Sequence, residues 1–543
     1  MTDKKAIYSL GNAPEWLFVV KNWREELGWR PFYWITVARN HDSVGKEYPS
    51  VHRHDFVDLN RCIPCQAYAD RLWRGLDSDV LKEFSEVEQT AIEMMDRMDL
   101  GGTFTFSERQ RTYLWHLSYW LMIISEEHPE VVVFNAPPHS PGEYVLHEVC
   151  RRRNVNVRVF LPTQLCSLHM VGDSYDCIPP ELTDRYARRL AENDLRLGHD
   201  MQEALDVLRS TAGTDPWYVT NAREREMKKA RLRSKIEKAL AEGQIGTIPL
   251  NLDPDKQVDV LSRSKNAPIN EANSIKIRRV YKRPDQDLGA ETLSKEEYQT
   301  YLKWAYVEKI KLDSTYRRLE TEVDLTTPYV FLALHYQPER TTCPDGERFN
   351  NQFLAAALLA NAMPEGWRLY VKEHPSQFTY HNNGEQSRRP EFYSDLLSLP
   401  NTQLVSTDMP SHDLVKNARA VATVTGFVGW EALMKEIPVI VFGAAWYRAC
   451  RGVYEVHKQA DAKRALDMIA TGEKHKLDEI VAFAGALEDA GTVCYSNTSL
   501  SSAVEIEPDE LVAALTSAML RFERYTDCSE EEAPTGELSV FQH

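Results

Sequence analysis

The stretch AVATVTGFVGWEALMKEIPVIVFG, residues 420–443, contains one complete unit of an α/β fold. Its first residues, 420–424, form a short apolar run that predicts a buried strand, and residues 439–442 form a second. Between them, a glycine-containing turn leads into a predicted helix over residues 429–435. A strand, a helix and a second strand at this spacing predict two parallel strands joined by a crossover. The stretch therefore indicates a parallel sheet that helices cover.

The same pattern continues on both sides of this stretch and predicts a domain over residues 326–470. Its other predicted elements are strands at 329–334 and 367–371 and a helix at 351–362. Further helices are predicted at 457–485 and 508–524, and residues 471–525 are assigned to carboxyl-terminal helices. The acidic tail, residues 526–543, is predicted to be disordered because it has little apolar material to bury.

The first third of the chain repeats this alternation and predicts an amino-terminal Rossmann-like domain over residues 1–180. Strands are predicted at 6–10, 32–37, 131–134 and 155–161, and helices at 14–27 and 142–153. A capping box of Ser107 and Gln110 predicts the start of a long apolar helix. Alternating strands and helices of these lengths imply a parallel sheet with helices on both faces.

The middle of the chain, residues 181–325, is polar, charged and predicted to be a helical connector or insertion. Residues 223–238 hold eight Lys or Arg and three Glu. A solvated connector helix is the favoured interpretation of this stretch, and a surface for an acidic glycan or the inner-membrane face is the alternative. Asp285-Gln286-Asp287 has a DxD form, but no buried strand precedes it, so chance explains it better.

Composition bounds the class of protein before any site is considered. The 543 residues carry 64 Lys and Arg against 81 Asp and Glu, a net charge of −17, which argues against a general nucleic-acid binder. We expect a cytoplasmic protein, since residues 1–6 lead into no signal-peptide run and the apolar run 114–124 is too short to span a membrane. Cys62 and Cys65 have CxxC spacing without a second pair, which favours two buried thiols over zinc or redox chemistry.

Polar side chains follow three predicted strands of the 326–470 domain, at the point where each strand ends. In open α/β sheets, ligands bind beyond the carboxyl ends of the strands. The candidate site residues at these strand ends are Gln337, Glu339, Arg340, Lys372, His374, Thr425, Gly426, Gly429 and Glu431. Three such segments in one sheet predict a ligand site.

The third segment has the features of a phosphate site. Free backbone N–H groups at a helix start favour an anion, and Gly426 and Gly429 permit close approach. Thr425 adds a hydroxyl, and Glu431 is placed to accept from ribose hydroxyls. A plain helix cap with a capping carboxylate fits the same residues equally well. Lys372 and His374 are predicted to add charge-assisted hydrogen bonds to the same phosphate, so we expect both side chains near it.

Glu339 is the carboxylate that stands out in this region. It follows Pro338 and precedes Arg340, which favours its ionised form. A positioned carboxylate can act as a nucleophile that forms a glycosyl-enzyme. A structural ion pair with Arg340 or Arg348 is the alternative, and is the better explanation of Glu339 considered in isolation.

These segments resemble bacterial capsule and surface-polysaccharide biosynthesis proteins, whose best understood members are the retaining β-Kdo glycosyltransferases. The resemblance is specific over about residues 326–455 and looser over 1–170, where NAPPH at 135–139 is similar to a loop of the family. It does not extend to 200–320 or to the tail. The runs that carry it are LHYQPE (334–339), KEHP (372–375), TGFVGWEAL (425–433), PVIVFG (438–443) and WY (446–447).

The resemblance implies a GT-B-like α/β fold, in which two Rossmann-like domains face a cleft and the carboxyl-terminal domain binds the donor nucleotide. It implies a CMP-activated ulosonic acid as donor, with no cofactor and no catalytic metal. His374 would act on the leaving phosphate and Glu339 would be the nucleophile. Capsule-type relatives often carry an Asp slightly later, so Asp345 is the alternative nucleophile. His139 or Glu143 would help to activate the acceptor hydroxyl.

The sequence thus predicts a retaining glycosyltransferase that moves Kdo or a related ulosonic acid from CMP onto a capsule or lipopolysaccharide acceptor. The expected partners are a nucleotide-sugar donor and a glycan or glycolipid acceptor, and peripheral association with the inner membrane is compatible with the basic stretch 223–238. One alternative is a CDP-polyol phosphotransferase of the teichoic-acid type. Another is a catalytically silent capsule-assembly protein that binds a glycan or nucleotide.

Overall fold

A computed structural model describes most of the chain. The described residues are 3–11, 14–71, 73, 75–98, 105–210, 238, 274–276, 292–379, 384–472, 474–496 and 506–531. The basic stretch 223–237 and the motif at 285–287 lie outside them.

The described helices and strands alternate through most of the chain. The helices are α1 (Trp16–Leu27), α2 (His41–Glu47), α3 (Phe56–Asn60), α4 (Ser78–Glu83), α5 (Ser85–Met94), α6 (Phe106–Glu127), α7 (Pro141–Arg152), α8 (Pro180–Glu192), α9 (His199–Ser210), α10 (Lys295–Leu319), α11 (Gln352–Ala362), α12 (Pro390–Ser398), α13 (Ser411–Asn417), α14 (Phe427–Leu433), α15 (Gln459–Ala470), α16 (Leu477–Ala490) and α17 (Pro508–Glu531). The strands are β1 (Lys4–Ser9), β2 (Trp29–Thr36), β3 (His52–Asp55), β4 (Val131–Phe134), β5 (Asn156–Pro162), β6 (Leu168–Gly172), β7 (Ser274–Lys276), β8 (Thr292–Ser294), β9 (Tyr329–Ala333), β10 (Arg368–Lys372), β11 (Thr402–Leu404), β12 (Ala420–Thr423), β13 (Val439–Val441), β14 (Val453–Glu455) and β15 (Thr492–Val493). Short 3₁₀ turns lie at Ala38–Asn40, Gln66–Tyr68, Met95–Arg97, Glu347–Asn350, Pro375–Phe378 and Gly384–Gln386.

The amino-terminal sheet has seven strands in the order β15-β6-β5-β4-β1-β2-β3. The five strands from β5 to β3 are parallel, while β6 and β15 are antiparallel to their neighbours. The chain leaves β1 for β2 and β3 on one side and later fills β4 and β5 on the other. The order therefore reverses between β1 and β4, where such sheets open a crevice at the carboxyl ends of the strands.

The second sheet has six parallel strands in the order β11-β10-β9-β12-β13-β14. Its order reverses between β9 and β12, so this sheet has a crevice of the same kind. The two sheets and their helices confirm the predicted α/β fold of two Rossmann-like domains.

Buried aromatic and aliphatic side chains pack the helices onto the sheets. Trp16, Trp23 and Trp34 are almost fully buried beside the first sheet, and the Trp16 and Trp23 rings lie 5.9 Å apart. Near the end of the chain, α17 packs against α1, where Asn22 donates to Thr516 Oγ1 (3.1 Å), and β15 joins the first sheet. The chain therefore crosses back to the amino-terminal domain after completing the second sheet.

Several predicted boundaries differ from the structure. The capping box of α6 is formed by Thr105 and Glu108, two residues before the predicted Ser107 and Gln110, because the Thr105 hydroxyl accepts from the Glu108 N–H and the Glu108 carboxylate accepts from the Thr105 N–H. The predicted helix at 457–485 is two helices, α15 and α16. The last helix continues to Glu531, past the predicted start of the disordered tail.

Hydrogen bonds join the two domains near the carboxyl ends of their strands. Arg97 donates from Nη1 to the Cys343 carbonyl (2.6 Å) and from Nη2 to the His139 carbonyl (2.8 Å). Asn350 donates to Glu93 Oε2 (3.1 Å). Arg97 thus joins the loop after β9 to the loop after β4, which are the loops at the two crevices.

Candidate functional site

The candidate site lies where three neighbouring parallel strands end. Strands β10, β9 and β12 are adjacent in the second sheet, so the loops that follow them leave from the same edge. Thr425 Oγ1 donates to the Thr341 carbonyl (2.8 Å), and the Gln337 N–H donates to Gln377 Oε1 (2.9 Å). The three segments predicted to form a site therefore meet in the folded chain.

Gln337 is not available as the donor-binding side chain that the sequence predicted. Its amide nitrogen donates to the Asn350 carbonyl and side-chain oxygen, both at 2.6 Å, and its amide oxygen accepts from Arg388. The side chain is buried, and its contacts hold the loop after β9 in place. Because both ends of the amide are used, Gln337 supports the site and does not line it.

Arg388 is a residue of this region that sequence reasoning missed. Its Nε donates to Glu373 Oε2 (2.8 Å) and its Nη2 to the His335 carbonyl (3.3 Å), and both charged side chains are almost completely buried. Tyr393 also donates to Glu373 Oε2 (3.0 Å). Arg388 ties the loop after β9 to the loop after β10. The pair Arg388-Arg389 belongs to no motif, so only the fold reveals the role of Arg388.

The backbone of His374 is bound to this ion pair, because the His374 N–H donates to Glu373 Oε1 (2.8 Å). The imidazole Nδ1 accepts from the Ser376 N–H (3.1 Å). Burial, assisted by the charge of Lys372, lowers the pKa of His374 to about 4, so the ring is neutral at pH 7. A neutral ring whose Nδ1 accepts carries its proton on Nε2, and Nε2–H is then a hydrogen-bond donor of fixed direction.

Lys372 is buried and already bound within the protein. Its ammonium donates to the Met409 carbonyl (2.6 Å) and to Ser411 Oγ (3.0 Å). The sequence predicted that this ammonium would share a phosphate with His374. The structure uses it to hold the loop before α13.

The predicted phosphate site after β12 differs from expectation in its backbone donors. The Thr425 N–H donates to His335 Nε2 (3.1 Å) and the Gly426 N–H to Thr423 Oγ1 (3.1 Å). Burial lowers the pKa of His335 to about 3, so its ring is a neutral acceptor. The prediction that both N–H groups are free is therefore wrong, because His335 and Thr423 fill the crevice between β9 and β12.

Gly429 and Glu431 also take different places from those predicted. A Cβ at Gly429 would lie 2.1 Å from the Tyr447 hydroxyl, which donates to the Gly426 carbonyl (2.5 Å). This glycine therefore permits close packing of Tyr447 on α14. Glu431 was predicted in the first turn of its helix, but it is the fifth residue of α14 and lies beyond that turn. Burial raises the pKa of the Tyr447 hydroxyl, and the charge of Glu431 helps to raise it further.

Glu339 and Asp345 lie on the same loop in different environments. Glu339 is half-buried, and its Oε2 accepts from Thr341 Oγ1 (3.3 Å). Asp345 is buried and accepts from Arg340 on Oδ2, while its Oδ1 has no hydrogen-bond partner among the described residues. Burial raises the pKa of Asp345, although the charge of Arg340 acts in the opposite direction. The ion pair expected between Glu339 and Arg340 is formed by Asp345 instead.

The two predicted acceptor-side residues lie near the crevice of the first sheet. Glu143 is buried in the first turn of α7 and accepts from Ser9 Oγ (2.6 Å) and Ser140 Oγ (3.2 Å). Burial raises the pKa of Glu143, and these hydrogen bonds offset only part of the effect. His139 is exposed, with Nδ1 2.7 Å from the Pro137 carbonyl.

Other sequence motifs have clear positions. Cys62 and Cys65 are buried, and burial raises the pKa of both thiols, which makes them unreactive. Across the described ranges, no group of three or more His, Cys, Asp or Glu side chains could hold a metal ion. Within the same part of the chain, no helix combines the length and apolar character that crossing a bilayer requires.

Residues 340–470 match the family model described as capsule polysaccharide biosynthesis protein. This region begins one residue after Glu339 and includes Asp345 and His374. It covers the second sheet from its first strand-end loop to α15. The match covers about a quarter of the chain, so it shows a region that is similar to this family within an α/β fold of two Rossmann-like domains.

Solved structures similar to this chain include two of KpsC from Thermosulfurimonas dismutans. The beta Kdo 2,7 transferase is 18% identical over 40% of this chain and 66% of its own, with a TM-score of 0.21. The beta Kdo 2,4 transferase is 17% identical over 34% of this chain and 54% of its own, with a TM-score of 0.19. The chain thus spans less than two thirds of either transferase.

A UDP-GlcNAc 2-epimerase from Methanocaldococcus jannaschii is 12% identical over 89% of this chain and 98% of its own, with a TM-score of 0.24. At such identities and TM-scores, none of these likenesses bears on activity. No curated protein matches the chain.

Proposed function

We propose that the protein is a retaining glycosyltransferase that moves Kdo or a related ulosonic acid from CMP onto a bacterial surface-polysaccharide acceptor. The observation that carries the proposal is the joining of the carboxylate loop 335–345 to His374 through Gln337, Arg388 and Glu373. Such a frame supports a nucleophile and a leaving-group donor at one edge of a sheet. The capsule family match over 340–470 covers most of this edge.

In this proposal His374 stabilises the departing CMP. Its Nε2–H donates to a phosphate oxygen as negative charge develops there, and the ring stays neutral throughout. A preorganised donor aimed at developing charge lowers the barrier without transferring a proton. The mechanism uses no metal ion and no cofactor. Arg340 contributes through its ion pair with Asp345. Thr425, Gly426, Gly429 and Glu431 shape the loop and helix beside the donor, and the backbone N–H groups of Thr425 and Gly426 keep their internal partners.

The transfer proceeds in two displacements at the anomeric carbon. A carboxylate oxygen, from Glu339 first and Asp345 as the alternative, forms a bond to that carbon while the bond to the CMP oxygen breaks and its electron pair stays on the phosphate. The acceptor oxygen then displaces the carboxylate, which regains its electron pair. Two inversions give overall retention. Glu339 has the greater solvent access, while Asp345 has an unbonded Oδ1.

The acceptor approaches from the amino-terminal domain. Arg97 connects the His139 carbonyl to the Cys343 carbonyl, so one side chain joins the loops at the two crevices. Glu143 and His139 then help to orient the acceptor hydroxyl. The acceptor is a capsule or lipopolysaccharide glycan or glycolipid, and the protein works in the cytoplasm, with peripheral contact to the inner membrane where a lipid carries the acceptor.

The test is rapid-quench measurement of CMP release from CMP-Kdo, with intact-mass analysis of the protein. Wild type should release one CMP per site and gain the mass of one Kdo unit. Glu339→Gln should bind CMP normally and give neither product. If Asp345 is the nucleophile, Asp345→Asn should lose both products and Glu339→Gln should retain them. Glu347→Gln, which changes an exposed carboxylate nearby, is the matched control and should behave as wild type.

The other outcomes separate the alternative functions. Transfer from CDP-glycerol or CDP-ribitol with a phosphodiester product would replace the proposal with a polyol-phosphate transferase. Retained glycan binding without any reaction of a CMP- or CDP-linked donor would replace it with a silent assembly protein.

A further inference from the structure

A line of hydrogen-bonded side chains lies in the amino-terminal domain and has no role in the mechanism so far. Glu148 Oε1 is 2.9 Å from His147 Nδ1, and His147 Nε2 is 3.3 Å from Ser174 Oγ. Ser174 Oγ in turn donates to Asp176 Oδ1. His147, Glu148 and Ser174 are buried and Asp176 is half-buried, so the line leads from the interior towards a surface.

The order Ser, His, Glu is that of a hydrolytic triad, but the protons exclude that use. Ser174 has one hydroxyl proton, and it is donated to Asp176, so His147 does not receive it as the base of a triad would. Glu148 is ionised: burial raises its pKa, but the hydrogen bonds from His147 and Arg152 and the charge of Arg151 outweigh burial and lower the pKa to about 2. The imidazole of His147 thus lies between Glu148 and Ser174, with one ring nitrogen against each, and holds Ser174 in the direction of Asp176.

Asp176 lies where the two domains meet. Its carbonyl accepts from Arg448 Nη2 of the second domain. Arg448 is in the loop after β13, and Ala444 of that loop donates its N–H to the Asp345 carbonyl (2.8 Å). The charge of Asp176 also acts on the Asp345 carboxyl, and besides Asp345 it faces Tyr175 and Arg151. A carboxylate of the first domain is thus held beside the carboxylate loop of the second.

We infer that Asp176 is the general base that takes the acceptor proton, and that Ser174, His147 and Glu148 are positioning residues that hold it. The inference rests on the proposed function and supplies its missing base. As the acceptor oxygen bonds to the anomeric carbon, its O–H bond breaks and the proton goes to the free oxygen of Asp176. The bond from that carbon to the enzyme carboxylate breaks at the same time.

The experiment separates the two displacements by their kinetics, with water and then methanol as the acceptor. Wild type mixed with CMP-Kdo should show a burst of CMP followed by slower steady turnover, which methanol accelerates. Asp176→Ala should keep the burst and lose about 100-fold in steady turnover, the size expected for one general base. Added formate should restore much of that loss, since a small carboxylate can occupy the space that the side chain leaves.

Two further variants keep the inference testable. Asp173→Ala removes an exposed carboxylate three residues away and should leave both phases unchanged. Ser174→Ala removes only the hydroxyl that holds Asp176, so it should slow steady turnover less than Asp176→Ala and respond weakly to formate. If Asp176→Ala fails to fold, Ser174→Ala takes its place as the test of the inference.

Three results would overturn the inference. Unchanged steady turnover in folded Asp176→Ala, or in Ser174→Ala where the first variant does not fold, removes Asp176 from the reaction. Loss of both burst and turnover without formate rescue makes the role structural. If the wild type itself gives no burst, the proposed function fails and this inference fails with it.

Discussion

The crevices of the two sheets have equivalent positions but are built from different groups. In the second domain, neutral His335 and the Thr423 hydroxyl bind the backbone N–H groups of Thr425 and Gly426. In the first domain, the crevice holds the carboxyl of Glu143 between two serine hydroxyls. Neutral hydrogen-bonding groups fill the crevice of the second domain. The crevice of the first domain holds Glu143, whose ionised form is disfavoured by burial.

This difference shows that a strand-end motif does not by itself reveal which groups meet a ligand. The donors that look free in the second domain are used internally, and the groups that we propose to react, Glu339, Asp345 and His374, lie in the loops around the crevice. Arg388 joins these loops through its hydrogen bonds to Glu373, Gln337 and the His335 carbonyl. The predictions that follow change each side of the comparison, beginning with the largest expected effect.

Replacing Arg388 with Ala should produce the largest loss of stability. The change leaves Glu373 as a buried charge without its cation, and breaking such a pair costs about 3–5 kcal/mol. Urea unfolding measures the loss. Arg389→Ala removes an exposed guanidinium at the next position and should change the free energy of unfolding by less than about 0.5 kcal/mol. Equal losses in the two variants would show that the Glu373 pair is not what holds the loops.

Gly429→Ala should cost less, about 1–3 kcal/mol, because the new methyl group collides with the Tyr447 hydroxyl. The matched double variant with Tyr447→Phe removes that hydroxyl and should recover part of the loss. Thermal unfolding of the single and double variants makes the comparison. If the double variant recovers no stability, contact with the Tyr447 hydroxyl is not the reason for glycine at position 429. The prediction that Gly429 permits close approach of a phosphate would then be favoured.

The sequence predicted the architecture well because apolar runs and their spacing decide which segments form strands and helices. The meeting of loops 335–345, 373–377 and 423–429 followed from the prediction of parallel strands in one sheet, since the carboxyl ends of such strands lie at the same edge. The partners of single side chains did not follow. Gln337 and Arg388 are 51 residues apart and meet only because two loops leave adjacent strands. Likewise, nothing near Gly429 in sequence indicates that Tyr447 packs on it.

Glu143→Gln should have the smallest effect, and the effect should depend on pH. Because burial raises the pKa of Glu143 in the folded protein, the neutral form is favoured there. Its contribution to stability is complete below the unfolded pKa and is lost as pH rises through the higher folded value. Gln stays neutral, so the variant should gain on wild type as pH rises above about 4.5, by on the order of 1 kcal/mol.

Urea unfolding of both proteins from pH 4 to pH 8 measures this difference. Ser140→Ala is the companion variant, since it removes one hydrogen bond to the carboxylate and should steepen the loss of stability with pH. Parallel curves for wild type and Glu143→Gln would contradict the assignment of a costly charge to the first crevice.

The most direct test of the central claim is the stabilisation of the protein by nucleotides, measured by thermal unfolding with CMP, CDP, UDP, GDP and ADP. A ligand at 100 times its Kd stabilises the folded state by about 2.7 kcal/mol. We predict selective stabilisation by CMP that His374→Ala abolishes and that His457→Ala, which changes an exposed histidine, retains. Stabilisation by CDP, UDP or GDP in place of CMP, or a CMP effect that survives His374→Ala, would contradict the account.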